Sequence, residues 1–297
     1  MHSLRAFVRR FATASPAAPS ARALVVRRPA SARAPFPEHV TALSRLATAP
    51  HLTTHKSGPL DAAVRAAPRG DRSALELALR AGVVSAALEP SPSTALLISE
   101  ALLEGAAPGE ATRARIDDAL ALLGNRDFRL PPCASAFCAL MSAARACGAD
   151  AETAAAARRI STVARVRGVP AAGKLATLGV RVAAGAGDWA LALRLLRDAM
   201  DVAGGTGGSS GAGGTRSVRR SAFALLSALS ASVKKEGSAK MSPEQLKWVQ
   251  ETLPVIAMDG ATAAEGKTVA AMVEAVKKIK ASVVTTKPDG DAKPSAA

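Results

Sequence analysis

Ten side chains between residues 158 and 220 carry the main chemical interest of this chain. Arg158, Arg159, Arg165, Arg167, Lys174 and Arg181 crowd one stretch. Arg216, Arg219 and Arg220 form a second, and Thr177 adds a hydroxyl. Cations gathered in this way neutralise phosphates, which supplies the sequence-independent part of nucleic-acid affinity. The same residues suit ordinary solvated helix faces equally well, and both readings stay open on residue type alone. Aromatic side chains, on which single-stranded bases stack, make up only 3% of the chain, which weighs against RNA.

Other constellations carry less. His51 and His55 stand one helical turn apart but lack the glutamate of a metalloprotease motif. The run Gly185-Ala-Gly187-Asp-Trp-Ala190 fits a dinucleotide fingerprint only in spacing. That fingerprint must follow a strand, whereas this run joins two expected helices and reads as a hairpin turn. The stretch Gly260 to Thr268 has one residue too many for a phosphate loop and reads as a helix cap. All four histidines fall within the first 55 residues, so no Ser/His/Asp or Cys/His set assembles around the rest. Cys133, Cys138 and Cys147 are odd in number with no CxxC spacing, and read as small buried hydrophobes. Asp117 and Asp118 are neighbours on one helix and must point apart. No enzyme activity, cofactor, metal or small-molecule substrate is expected.

The elements that must position these cations are helices. Alanine, the best helix former, dominates the 297 residues, and tyrosine is absent. No apolar run reaches eighteen residues, so no membrane span is expected. Ser135 to Gly148 and Asp150 to Arg167 read as one helical hairpin closed by Arg167-Gly-Val-Pro170. Lys174 to Met200, turning at Gly187-Asp188, reads as the next. Ile160, Val163 and Val166 are expected inward on the first hairpin, and Trp189, Leu193, Leu196 and Met200 on the second. Self-similarity at this spacing marks a stacked helical repeat.

The expected fold is therefore all-α, an α-α superhelix (solenoid) of hairpins over residues 71–282. The hairpins fall at about 92–124, 133–168, 172–201 and 219–257, with a Gly-rich linker at 204–214. Residues 37–68 read as a linker with short helices, Gly58-Pro59 as a turn, and 283–297 as a disordered tail. Asp71 and either Ser93 or Thr94 are the expected helix caps.

Charge is uneven. Of the net +15, seven arginines and no acid lie in residues 1–34, and taking those 7 from +15 leaves +8 on the rest. Leu4, Phe7, Val8 and Phe11 share one helical face there, and Arg5, Arg9 and Arg10 another. Residues 1–36 read as an organellar transit segment. A basic arm that binds nucleic acid directly is the alternative. Arg9 to Thr13 resembles a matrix-protease cleavage site, which places the expectation in the mitochondrial matrix, with plastid as alternative.

Residues 135–200 resemble pentatricopeptide repeats. The residues that carry the likeness are Phe137, Leu140-Met141, Ser142-Ala143 and Gly148 on the first helix, then Arg167-Gly-Val-Pro170 at the close of the second. Gly187-Asp188-Trp189 followed by Leu-Arg-Leu-Leu-Arg-Asp-Ala-Met matches the second-helix pattern again, and Phe223 and Leu226 echo the first. The likeness implies an organellar protein that binds single-stranded or ribosomal RNA in RNA processing, stability or translation. In that family a polar first-helix residue and another at the repeat's close read the bases. Here those positions are Ala139, Thr177 and Leu225, then Ala172 and Arg220. Alanine and leucine cannot hydrogen-bond a base edge. The alternative is a non-catalytic subunit of a mitochondrial assembly such as the mitoribosome, its repeats contacting other mitochondrial proteins or ribosomal RNA.

Overall fold

The computed structural model describes residues 35–48, 57–205, 212–236, 238–239, 241–277 and 280–281. Residues 1–34 of the expected transit segment, His51, His55, the middle of the Gly-rich linker and the tail expected from 283 lie outside the described residues.

The regular structure among those residues is helical, apart from a two-residue parallel pairing of β1 (Ser238–Ala239) with β2 (Lys280–Ala281). The helices are α1 (Phe36–Thr48), α2 (Gly58–Ala66), α3 (Arg72–Leu79), α4 (Pro92–Leu103), α5 (Glu110–Gly124), α6 (Ala134–Ala146) and α7 (Ala151–Val166). They continue as α8 (Gly173–Gly185), α9 (Trp189–Gly205), α10 (Ala212–Glu236), α11 (Pro243–Glu251), α12 (Leu253–Met258) and α13 (Ala263–Lys277). A π turn, Arg80–Ser85, extends α3.

Local chemistry sets the boundaries. The carboxylates of Asp71 and Asp150 accept from the Ala74 and Thr153 N–H groups, satisfying first-turn donors that have no partner within the helix. Ser242 and Gln245 close a capping box on α11. On α4 the cap is Ser91, not Ser93 or Thr94. Pro92 fits the first turn, where its missing N–H costs nothing, so the cap moves ahead of it and Thr94 becomes the return partner. The same property of proline makes Gly58-Pro59 the start of α2 rather than a turn.

Two sequence-based boundaries shift. Leu60, Ala63 and Val64 of α2 are fully buried and α2 packs on α4, so the packed body takes in part of the stretch assigned to the 37–68 linker. The expected linker 204–214 is helical at both described ends, because α9 runs through Gly205 and α10 begins at Ala212.

Alternate helices pack on one another along the chain. The first helices α2, α4, α6, α8 and α10 pack neighbour to neighbour, as do the second helices α3, α5 and α7. Beyond α10 the pattern changes to a cluster in which α12 and α13 pack on α10 and on each other, with α11 against both. The cores are thin, as the alanine content requires. Gly179 shows how closely the helices approach: a Cβ there would stand 2.9 Å from Leu195 Cδ1 on α9. On α7 the buried stripe is Ala157, Ile160 and Ala164. Val166, expected inward, is 65% exposed, because six residues beyond Ile160 the helix has turned through about 600°, leaving Val166 on a different face, while Ala164 in the same last turn is buried.

Polar links between hairpins repeat the stacking. Arg72 pairs with Asp118, Arg159 with Asp117, Arg113 with Asp150 and Glu152, and Arg158 with Asp188, each joining one hairpin to the next over 30 to 46 residues. Asp117 and Asp118 do point apart, each to a different arginine. The carboxyl of Asp150 is held below the ordinary range by the Thr153 N–H first, and also by Arg113. One link is buried: Thr94 Oγ1 donates to Asp61 Oδ1 at 2.5 Å, tying α4 to α2. Thr94→Val removes that donor and leaves a buried carboxylate without it. The expected cost is about 1–3 kcal/mol, read as a lower urea midpoint at unchanged slope.

Candidate functional site

The stacking of α8 on α10 brings part of the basic set together. On α8, Lys174, Thr177 and Arg181 fall on one face at helical spacing. On α10, Arg216 and Arg220 stand one turn apart and face them. These five residues, with Ser217, line a groove of about 580 Å³ whose walls carry no carboxylate. Lys174, Arg181, Arg216 and Arg220 are exposed, and among the described residues none of the four has an ion-pair partner.

The local backbone adds to this field. No side chain caps α8, because Ala172 has no acceptor, and neither α8 nor α10 has an acid in its first turn. Lys174 therefore sits where the positive end of the helix dipole already lies, the reverse of what helix stability favours. Free N–H groups and a cation at one helix start suit an anion. Lys174 also reaches toward α6. Burial raises the pKa of the Cys138 thiol, and the ammonium group opposes that shift. Cys133 and Cys138 are buried, Cys147 is half-buried, and all three are free thiols.

The other basic candidates have separate posts. Arg158 and Arg159 are held in the ion pairs with Asp188 and Asp117 already described. Arg167 donates to the Leu130 carbonyl oxygen and fastens the loop before α6. Arg219 lies between Arg216 and Arg220 in sequence but turns away from the groove. It donates to Gly260 O at 2.6 Å and pairs with Glu265. That carboxyl is held low by the Thr262 N–H and hydroxyl first, then by Arg219. The stretch from Gly260 is thus the N-terminal cap of α13, as its spacing implied. Arg165 lines a different cleft, between α7 and α9.

The first-helix positions that would read bases offer little to them, whereas Arg220, at a repeat's close, stands in the groove. Leu225 is fully buried and Ala139 offers no polar group. Thr177 Oγ1 sits 3.0 Å from Ser221 Oγ and 3.2 Å from Gly173 O, a bridge between α8 and α10. Ser217, which sequence reasoning passed over, donates to the same Gly173 carbonyl at 2.8 Å. Its signal was faint: a serine one residue from an arginine on an amphipathic face. Thr177→Val is expected to lower stability by about 1 kcal/mol while leaving any base preference unchanged, checked by urea melts beside titrations with homopolymer RNAs.

Among the described residues, no group of three or more His, Cys, Asp or Glu is placed to hold a metal, and no helix is long and apolar enough to cross a membrane. Comparison with known proteins finds no matching family model, no matching curated protein and no matching solved structure.

Proposed function

We propose that this chain is a non-catalytic, pentatricopeptide-like helical-repeat protein of the mitochondrial matrix that binds RNA by its phosphate backbone. Its hairpins are read as a short α-α superhelix, with residues 1–36 as the transit segment. The observation that carries the reading is the α8/α10 groove, where four cations without an ion-pair partner among the described residues face each other and no carboxylate lines the walls. Unpaired like charges held close on a folded surface repel one another and destabilise the fold, so a polyanion that neutralises them is their natural complement.

The specificity is for backbone rather than sequence, since Ala139, Thr177 and Leu225 present no free group to a base edge. Titration of the full chain with labelled poly-U and with a mixed-sequence single strand, at two salt concentrations, tests this. Similar affinity for both RNAs, falling steeply with salt, supports it. Binding that is absent, or indifferent to salt, refutes it.

The same first-helix positions favour a second reading, a structural subunit of a mitochondrial assembly that touches ribosomal RNA or protein without reading sequence. Co-sedimentation with mitochondrial ribosomes at moderate salt separates it from a free RNA-binding protein.

A further inference from the structure

On the opposite side of α8, where α7 and α9 diverge, lies a second opening of about 390 Å³. Its floor is apolar, formed by Ala164, Val169, Leu175 and Leu195, all buried. Its rim carries Arg165 from α7, and Arg194, Asp198 and Asp201 from α9.

Two features set this cleft apart. Elsewhere the second helices are bridged by arginine–carboxylate pairs, Arg72 to Asp118 between α3 and α5 and Arg159 to Asp117 between α5 and α7. At the α7/α9 step the one bridge among the described residues, Arg158 to Asp188, holds only the start of α9. Beyond it, small residues on α7 (Ser161 and Ala164) leave the gap unfilled. Secondly, none of the four rim charges has an ion-pair partner among the described residues, although both signs are present. Along α9 the order is Arg194, then Asp198, then Asp201, a run of about 10 Å at 1.5 Å per residue.

We infer that the α7/α9 cleft docks a short helical segment of a partner protein, one that places apolar side chains on the floor between an acidic and a basic residue. The acid meets Arg194 and the base meets Asp198 and Asp201, so the rim dictates the direction of the bound helix. The geometry is that of an amphipathic helix laid in a groove, with charge order supplying orientation. RNA has no counterpart for the two aspartates, and this docking is independent of the basic groove. With RNA on one side of α8 and a peptide on the other, the chain serves as an adaptor.

The test selects a displayed library of random 12-residue peptides on the immobilised full chain, then measures a synthetic copy of the winner by fluorescence anisotropy. The expected winners share apolar residues at helical spacing with an acid at one end and a base at the other. Their affinity drops at least tenfold on Thr162→Trp, which plugs the mouth from an exposed position, and on the double variant Asp198→Lys, Asp201→Lys. It drops equally when the peptide's charged ends are exchanged, a readout on the wild-type chain that no folding defect can mimic. It is unchanged on Lys174→Gln, Arg216→Gln, which touch only the basic groove. The inference is overturned if no consensus emerges, if the charge-exchanged peptide binds as well, or if poly-U displaces the peptide. None of these outcomes bears on whether the groove binds RNA.

Discussion

Replacing Lys174, Arg181, Arg216 and Arg220 together by glutamine is expected to flatten the salt dependence of RNA binding. Each neutralised phosphate contributes about −0.7 to the slope of log affinity against log salt for a single strand, so four contacts give about −2.8. For the wild type that slope means about a fifty-fold loss of affinity between 50 and 200 mM salt. The quadruple variant loses this dependence, and its affinity at 50 mM salt falls by about a hundredfold or more. Its fold is not expected to suffer, because the four side chains are exposed, unpaired and mutually repulsive. The informative contrast is the triple variant Arg158→Gln, Arg159→Gln, Arg219→Gln. Those arginines already neutralise Asp188, Asp117 and Glu265, so removing them leaves the slope nearly intact. The exposed Arg159–Asp117 pair is worth no more than about 1 kcal/mol to stability. An unchanged slope in the quadruple variant would sink the groove as an RNA site.

The second large effect is on stability. Ile160→Ala is expected to cost about 2–5 kcal/mol, because Ile160 is fully buried and the alanines around it are too small to close the cavity. Val166→Ala, six residues further along the same helix, is expected to change stability by less than about 0.5 kcal/mol, because that side chain is 65% exposed. Paired urea denaturation curves decide it. Equal costs would mean that the C-terminal turn of α7 packs more deeply than its exposure indicates.

That pair also shows where sequence periodicity reaches and where it stops. Ile160, Val163 and Val166 recur strictly every third residue, so each step drifts about 60° round a helix of 3.6 residues per turn, and Val166 leaves the face that Ala157, Ile160 and Ala164 bury. On α9 the same logic succeeds for Trp189, Leu193 and Leu196, because α8 and α10 flank that helix. Caps were readable where the chemistry is contained within four residues, as at Asp71. The Ser91 cap was displaced by Pro92, itself a local signal. The basic residues were the least legible. Arg216, Arg219 and Arg220 look alike in a row, yet Arg219 is drawn off by Gly260 and Glu265 more than 40 residues later.

The amino-acid sequence alone determined that the chain is helical, where most helices begin, and which faces are apolar, because those properties depend on propensity and on contacts within a few residues. The tertiary structure alone decided which arginines bind acids and which stay free. It also decided that Lys174 and Arg181 on α8 meet Arg216 and Arg220 on α10, and that α7 and α9 part around a mixed-charge rim. Ion pairing and groove formation depend on distances between helices 30 or more residues apart, and such distances are set only when the thin alanine-rich layers pack.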